Sequence, residues 1–258
     1  MIPALTLHPV DWSIVGPALI AGLLVLATHV PLGLQVLSRG IVFIDLAIAQ
    51  VAGLGVIAAN AWGWEPQGWG VQGAAAMAAL SGAALLTWLE RRWPDIQEAL
   101  IGTLFVLASC TGILLLAGNP HGGEHLKDLL VGQILWVSHA QLEVMAALSA
   151  GVLAVWFASP NFLGRAGFYI LFALAVTASV QLVGVYLVFS SLIMPALAVR
   201  HAKPRWQGPL AYGIGALSYG SGLALSAMLD LPSGAVVVLT MAAVGIVAST
   251  LLPRPPSP

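Results

Sequence analysis

Long uncharged apolar stretches alternate with short polar segments along the whole chain. The uncharged runs cover residues 12–38, 46–64, 66–89, 99–123, 144–164, 166–199, 206–229 and 231–253. Most reach the about 20 helical residues needed to cross about 30 Å of hydrocarbon, so they predict membrane-spanning helices. The run 129–142 is too short for a span, and residues 126–138 are expected to form an interfacial or half-inserted helix that leads into the next crossing. The run 166–199, at 34 residues, is long for one span and short for two. It is expected to be broken into half-length helices near Gly184 and Pro195, since irregular backbone is tolerated at membrane depth where protein buries it.

Composition agrees with this pattern: 59% of the 258 residues are hydrophobic and 7% charged, against about 25% charged in a soluble domain. The net charge of -1 supplies neither an acidic tail nor the basic stripe of a nucleic-acid binder, so nucleic acid is excluded as a partner. The first basic residue is Arg39, so no basic leader precedes the first apolar run, and that run is read as a helix rather than a signal peptide. The expected fold class is therefore all-α: one polytopic domain over residues 1–258 with about eight to nine transmembrane helices, ending in a flexible Pro-rich tail at 253–258.

Charge placement predicts the orientation. With the N-terminus outside and the C-terminus cytoplasmic, Arg39, Arg91, Arg92, Arg165, Arg200, Lys203, Arg205 and Arg254 all face the cytoplasm and only Lys127 lies outside, as the positive-inside rule requires. The condition is that Arg165 and Arg200 share a side.

The chain lacks several kinds of chemistry. Its two lysines, Lys127 and Lys203, are followed by Asp128 and Pro204, so no Walker A loop exists and the chain is not itself an ATPase. No G-x-S-x-G nucleophile elbow is present. A single cysteine, Cys110, forbids an internal disulfide and is read as a small buried apolar residue.

Ionisable groups at bilayer depth are costly and by default mark a path or site. The candidates are His29 in the first helix, Asp45 and Gln50 near the start of the second, and His139 with Glu143, whose i, i+4 spacing places them on one helix face. The plain alternative is a local helix pair or an interfacial histidine for His139 and Glu143, and a structural bond to a neighbouring helix for Asp45. The string His121-Gly-Gly-Glu124-His125 matches the H-x-x-E-H peptidase pattern, but the paired glycines after Asn119-Pro120 mark a loop rather than a helix. The plain reading is a solvated polar loop, with loose metal capture outside the membrane as the alternative.

Four blocks carry a family resemblance: residues 38–56, SRGIVFIDLAIAQVAGLGV; 95–116, DIQEALIGTLFVLASCTGILLL; 129–142, LLVGQILWVSHAQL; and 183–201, VGVYLVFSSLIMPALAVRH. The chain resembles the permease subunits of ATP-binding-cassette importers for zinc, manganese and iron over nearly its whole length. That resemblance implies a type II importer-like permease of the inner membrane, acting as a homodimer with a path at the subunit interface. Two cytoplasmic ATPase subunits would supply ATP hydrolysis, and an extracytoplasmic metal-binding protein would deliver the transported ion. No cofactor would be permanently bound. Family members carry an Asp and a His four residues apart at the start of the second helix. Here Asp45 matches the Asp, while Gln50 best fills the His position, about 140° away around a regular helix at 100° per residue. His29 or the His139–Glu143 pair would replace the missing ligand, or the contacts would be mainly carboxylate. The ATPase-docking segment is short, centred on Asn161, Phe162, Leu163, Gly164 and Arg165. The competing readings are a proton-coupled secondary cation carrier using Asp45 or Glu143, and a membrane metalloenzyme built on residues 121–125.

Overall fold

The computed structural model describes residues 9–65, 68–116, 130–158 and 164–252, and among these it is all helix and connecting loop. In chain order the long helices are α1 (Trp12–Arg39), α2 (Ile44–Ala61), α3 (Trp69–Arg92), α4 (Gln97–Leu116), α5 (His139–Ala158), α6 (Arg165–Ala198), α7 (Pro204–Leu229) and α8 (Ser233–Leu251). Seven are long and apolar enough to cross a membrane; α7, with 26 residues, is long enough but less apolar.

Local chemistry sets several boundaries. Asp11 caps α1 by accepting the Ser13 hydroxyl at 2.7 Å and the Ser13 N–H at 2.9 Å, which together hold its carboxyl below the ordinary range. At the other end Gly40 adopts φ 71° while the Ile41 N–H bonds back to the Val36 carbonyl at 3.4 Å, a Schellman-type stop. The chain reverses within residues 40–43 and enters α2.

The centre of the bundle is α6, packed against α1, α3 and α8. Small residues let the backbones close. Gly22 lies flat under the Tyr219 ring, Leu26 fills the space over Gly215, and Gly33 meets the Leu192 backbone. A buried hydrogen bond of 2.8 Å joins Ser191 of α6 to the Tyr219 hydroxyl of α7. Tyr219→Phe is expected to lower stability by about 1 kcal/mol, the worth of one interhelical hydrogen bond. The unfolding midpoint of the detergent-solubilised chain measures this, and an unchanged midpoint would contradict it.

The pairings along α1 fix directions. Gly22 with Tyr219, Leu26 with Gly215 and the Ala27 carbonyl with the Tyr212 hydroxyl run in opposite order, so α7 is antiparallel to α1 and begins beside Arg39. The start of α6 lies there too, because the Arg39 guanidinium sits 4.2 Å over the Phe168 ring. Both ends of α6 therefore occupy one end of the bundle, and the helix turns back on itself at Gly184, whose φ 78°, ψ 163° is non-helical. The break expected at Gly184 is present. The break expected at Pro195 is not: the helix continues through it to Ala198, at the loss of the one backbone bond that an N–H at 195 would make to the Ser191 carbonyl.

The start of α4 joins this same end, where the Gln97 side chain donates to the Tyr169 hydroxyl beside Phe168. Arg39, Arg91, Arg92, Arg200, Lys203 and Arg205 consequently cluster at one end, with the backbone of Arg165. The condition that Arg165 and Arg200 share an end is met by reversal of α6, not by two complete spans.

The far end holds the segment after residue 129. It is not a helix through 138, as expected, but a helical end at Leu130 and Val131, a left-handed Gly132 (φ 71°) and a 3-10 turn at Ile134–Trp136. The reason is steric. Gly132 lies against the backbone of Val183 and Gly184, and the Val131 carbonyl against Gly234 at the start of α8, so a helix with side chains all round would not fit.

Eight of the nine tryptophans fit an interfacial role. Trp12, Trp62, Trp64, Trp69, Trp88, Trp93, Trp136 and Trp206 are exposed and lie at helix ends or in the adjoining turns, as in the aromatic belts that border a bilayer. Cys110, expected to be buried, is exposed on α4, because the apolar surround it sits in is the outer face of the helix.

Candidate functional site

Asp45 occupies the first turn of α2 and is 1% exposed. Neither carboxylate oxygen has a hydrogen-bond partner; the N–H groups of Asp45 and Leu46 approach it without closing a bond. A buried, unsatisfied carboxylate costs several kcal/mol in hydrocarbon-like surroundings, so this side chain is held at the expense of stability. The turn at 40–43 and the cap on α2 place it. Phe43, the N-cap residue of α2, offers no side-chain cap of its own; its N–H is taken by Glu98 Oε1 of α4 at 3.2 Å. The Phe43 ring also stacks at 6.5 Å on Phe189 in the second arm of α6.

Glu98 therefore stands beside Asp45, and it was not singled out in the sequence. An acid at the start of an apolar helix was the available signal, and it reads there as an ordinary helix-end charge. Its second oxygen, Oε2, is buried without a partner. An open groove of about 620 Å³, lined by Phe43, Leu46, Ala99, Gly102 and Thr103 among others, runs alongside between α2 and α4.

The remaining candidates are scattered. Gln50 is 7% exposed on an α2 with no π-bulge, so it projects from a different side than Asp45. His29 is fully buried on the same stripe of α1 as Gly22, Leu26 and Gly33, facing α6 and α7. Its Nδ1 lies 2.9 Å from the Val25 carbonyl, which assigns the ring proton to Nδ1, and its Nε2 has no partner. A ligand histidine is oriented in this way. His139 and Glu143 are exposed on α5 at the end holding Gly132, opposite to Asp45. Among the described residues no group of three or more His, Cys, Asp or Glu side chains converges to hold a metal. His121, Glu124 and His125 lie outside the described residues, as do Asn161, Phe162, Leu163 and the 253–258 tail. Gly164 caps α6 and Arg165 opens it, at the Asp45 end.

A chain of contacts runs from that start of α6 to Asp45. Tyr169 meets Glu90 of α3 and accepts from Gln97; the next residue, Glu98, holds Phe43, two positions before Asp45.

Comparison with known proteins covers most of the chain. The model of the ABC 3 transport family matches residues 11–163 and 159–251. A membrane protein of Synechocystis, slr2045, described as uncharacterized, is 27% identical over 244 residues, covering 86% of this chain and 85% of that protein. Among solved structures, PsaBC from Streptococcus pneumoniae in complex with Fab is similar at TM-score 0.75 and 20% identity, over 92% of this chain and 91% of that one. A transporter described as of the metal-chelate ABC type, in an inward-facing conformation, is similar at TM-score 0.67 and 17% identity, over 96% and 94%. At these identities the two structures speak to the fold.

Proposed function

Because the chain belongs to the ABC 3 transport family, whose members are permease subunits of metal-type ATP-binding-cassette transporters, we propose that it imports a divalent transition-metal ion, zinc, manganese or iron, across the inner membrane. In this reading two copies of the chain form the path, and two cytoplasmic ATPases dock near Asn161–Arg165. An extracytoplasmic protein delivers the ion at the end carrying His139 and Glu143, with His121, Glu124 and His125 proposed to assist its capture. The N-terminus lies outside and the basic end faces the cytoplasm.

The observation that carries the proposal is Asp45: buried, without a hydrogen-bond partner and adjacent to an open groove. A transfer site must release what it binds, and one or two carboxylates per copy suit that better than a closed ligand cage. ATP hydrolysed by a partner subunit is the energy source that the family reading implies, since the chain carries no nucleotide motif of its own.

Purification from native membranes in mild detergent, followed by reconstitution into liposomes, tests this. The expected result is a co-purifying ATP-binding-cassette subunit and uptake of Mn2+ or Zn2+ that requires ATP. Uptake driven by a proton gradient without ATP would overturn it.

A further inference from the structure

We propose that Glu98 and Asp45 together form one divalent-cation subsite at the start of α2, a proposal that rests on the transport reading above. Glu98 has an obvious simpler role. The first N–H groups of a helix need acceptors, and Glu98 Oε1 supplies one to Phe43 at 3.2 Å. Capping uses one oxygen only. Oε2 is buried and has no partner, and both oxygens of Asp45 are in the same condition. Three orphaned carboxylate oxygens thus belong to two acids placed at one helix end.

A shared cation would satisfy both side chains at once. Glu98, itself an acid, is the charged group that acts on Asp45, and Arg39 is turned onto the Phe168 ring. The α2 N-terminus offers about half a positive charge against two carboxylates. Like charges at one helix end disfavour joint ionisation, and either a proton on one carboxyl or a cation shared by both relieves them. Oxygen donors without imidazole or thiolate suit Mn2+ better than a soft metal, and a cation held by two carboxylates retains part of its water shell, as a transfer site requires. The subsite also lies where Glu98 is the neighbour of Gln97, which bonds Tyr169 at the start of α6. Movement of that helix start is therefore transmitted to one of the two ligands.

Glu98→Gln separates the cap from the charge, because the amide oxygen still accepts the Phe43 N–H. Uptake of Mn2+ and of Zn2+, measured separately with the complete transporter in liposomes, is compared for wild type, E98Q and D45N. The expected result is an unchanged unfolding midpoint for E98Q and a metal concentration for half-maximal uptake raised by about tenfold or more, the effect of losing one of two nearby charges. Wild-type uptake with E98Q indistinguishable from it, while D45N is inactive, would reduce Glu98 to a cap and overturn the proposal. Failure of wild type to take up either metal would instead remove the transport reading itself. Should E98Q not fold, Glu98→Asp gives the opposing test: it keeps the charge and shortens the capping reach. Retained uptake supports the subsite, and loss of uptake in a folded E98D overturns it.

Discussion

Gly184→Ala is expected to abolish the folded state, with a cost of at least about 3 kcal/mol, since φ 78°, ψ 163° is a region that essentially only glycine occupies. The added Cβ would also meet the Gly132 N, the Val131 carbonyl carbon at 2.5 Å and the Leu130 oxygen at 2.8 Å. Backbone atoms cannot rotate away as a side chain does, so relief requires moving either α6 or the 130–138 segment. Gly40→Ala is the control. It carries a comparable positive φ of 71° but in the ordinary left-handed region, with nothing within 4 Å of its Cβ position, and is expected to cost about 1–2 kcal/mol. Size-exclusion profiles and unfolding midpoints in detergent report both. A Gly184→Ala chain as stable as Gly40→Ala would mean that the reversal of α6 is not held by this contact.

The second large effect falls on function and leaves the fold alone. Asp45→Asn is expected to lower metal uptake at least about 100-fold, because a unit charge about 4 Å from a cation contributes about 4 kcal/mol at an effective dielectric near 20. The unfolding midpoint should not fall. Removing the charge forfeits a helix-dipole interaction of about 0.3–1 kcal/mol but relieves the larger cost of burying a carboxylate without partners. Uptake lost and stability kept or raised is the signature of a residue retained for transport. A midpoint that drops with uptake intact would make Asp45 a structural residue.

Much of the architecture is legible in the sequence because the bilayer imposes it. Apolar run length gives α1 through α4, and the distribution of nine basic residues requires that the chain leave and re-enter α6 on one side. The reversal at Gly184 follows from that requirement and from the length of the run. The form of residues 130–138 does not follow, since it depends on the backbone of α6 lying against Gly132, a contact between segments about fifty residues apart. Cys110 shows a second limit: apolar sequence in such a chain signals lipid as readily as interior, so periodicity does not separate the two. At the site, Asp45 is legible as an acid in an apolar helix and through the family resemblance. Glu98 is not, because its relation to Asp45 exists only once α4 is laid beside α2. The scatter of His29, Gln50, His139 and Glu143 is likewise a matter of which helix faces which.

The return of α6 also governs what can be attached to this protein. Each of the other seven helices carries the chain from one end of the bundle to the other, and α6 brings it back to where it started. Gly245, late in α8, accordingly lies near Ala198 and Met194 of α6, close to the Arg39 end, whereas Trp12 is at the opposite one. In the proposed orientation, a label fused before Trp12 and a label fused after Leu251 are expected on opposite faces of the membrane. A straight α6 would have put both on the same face.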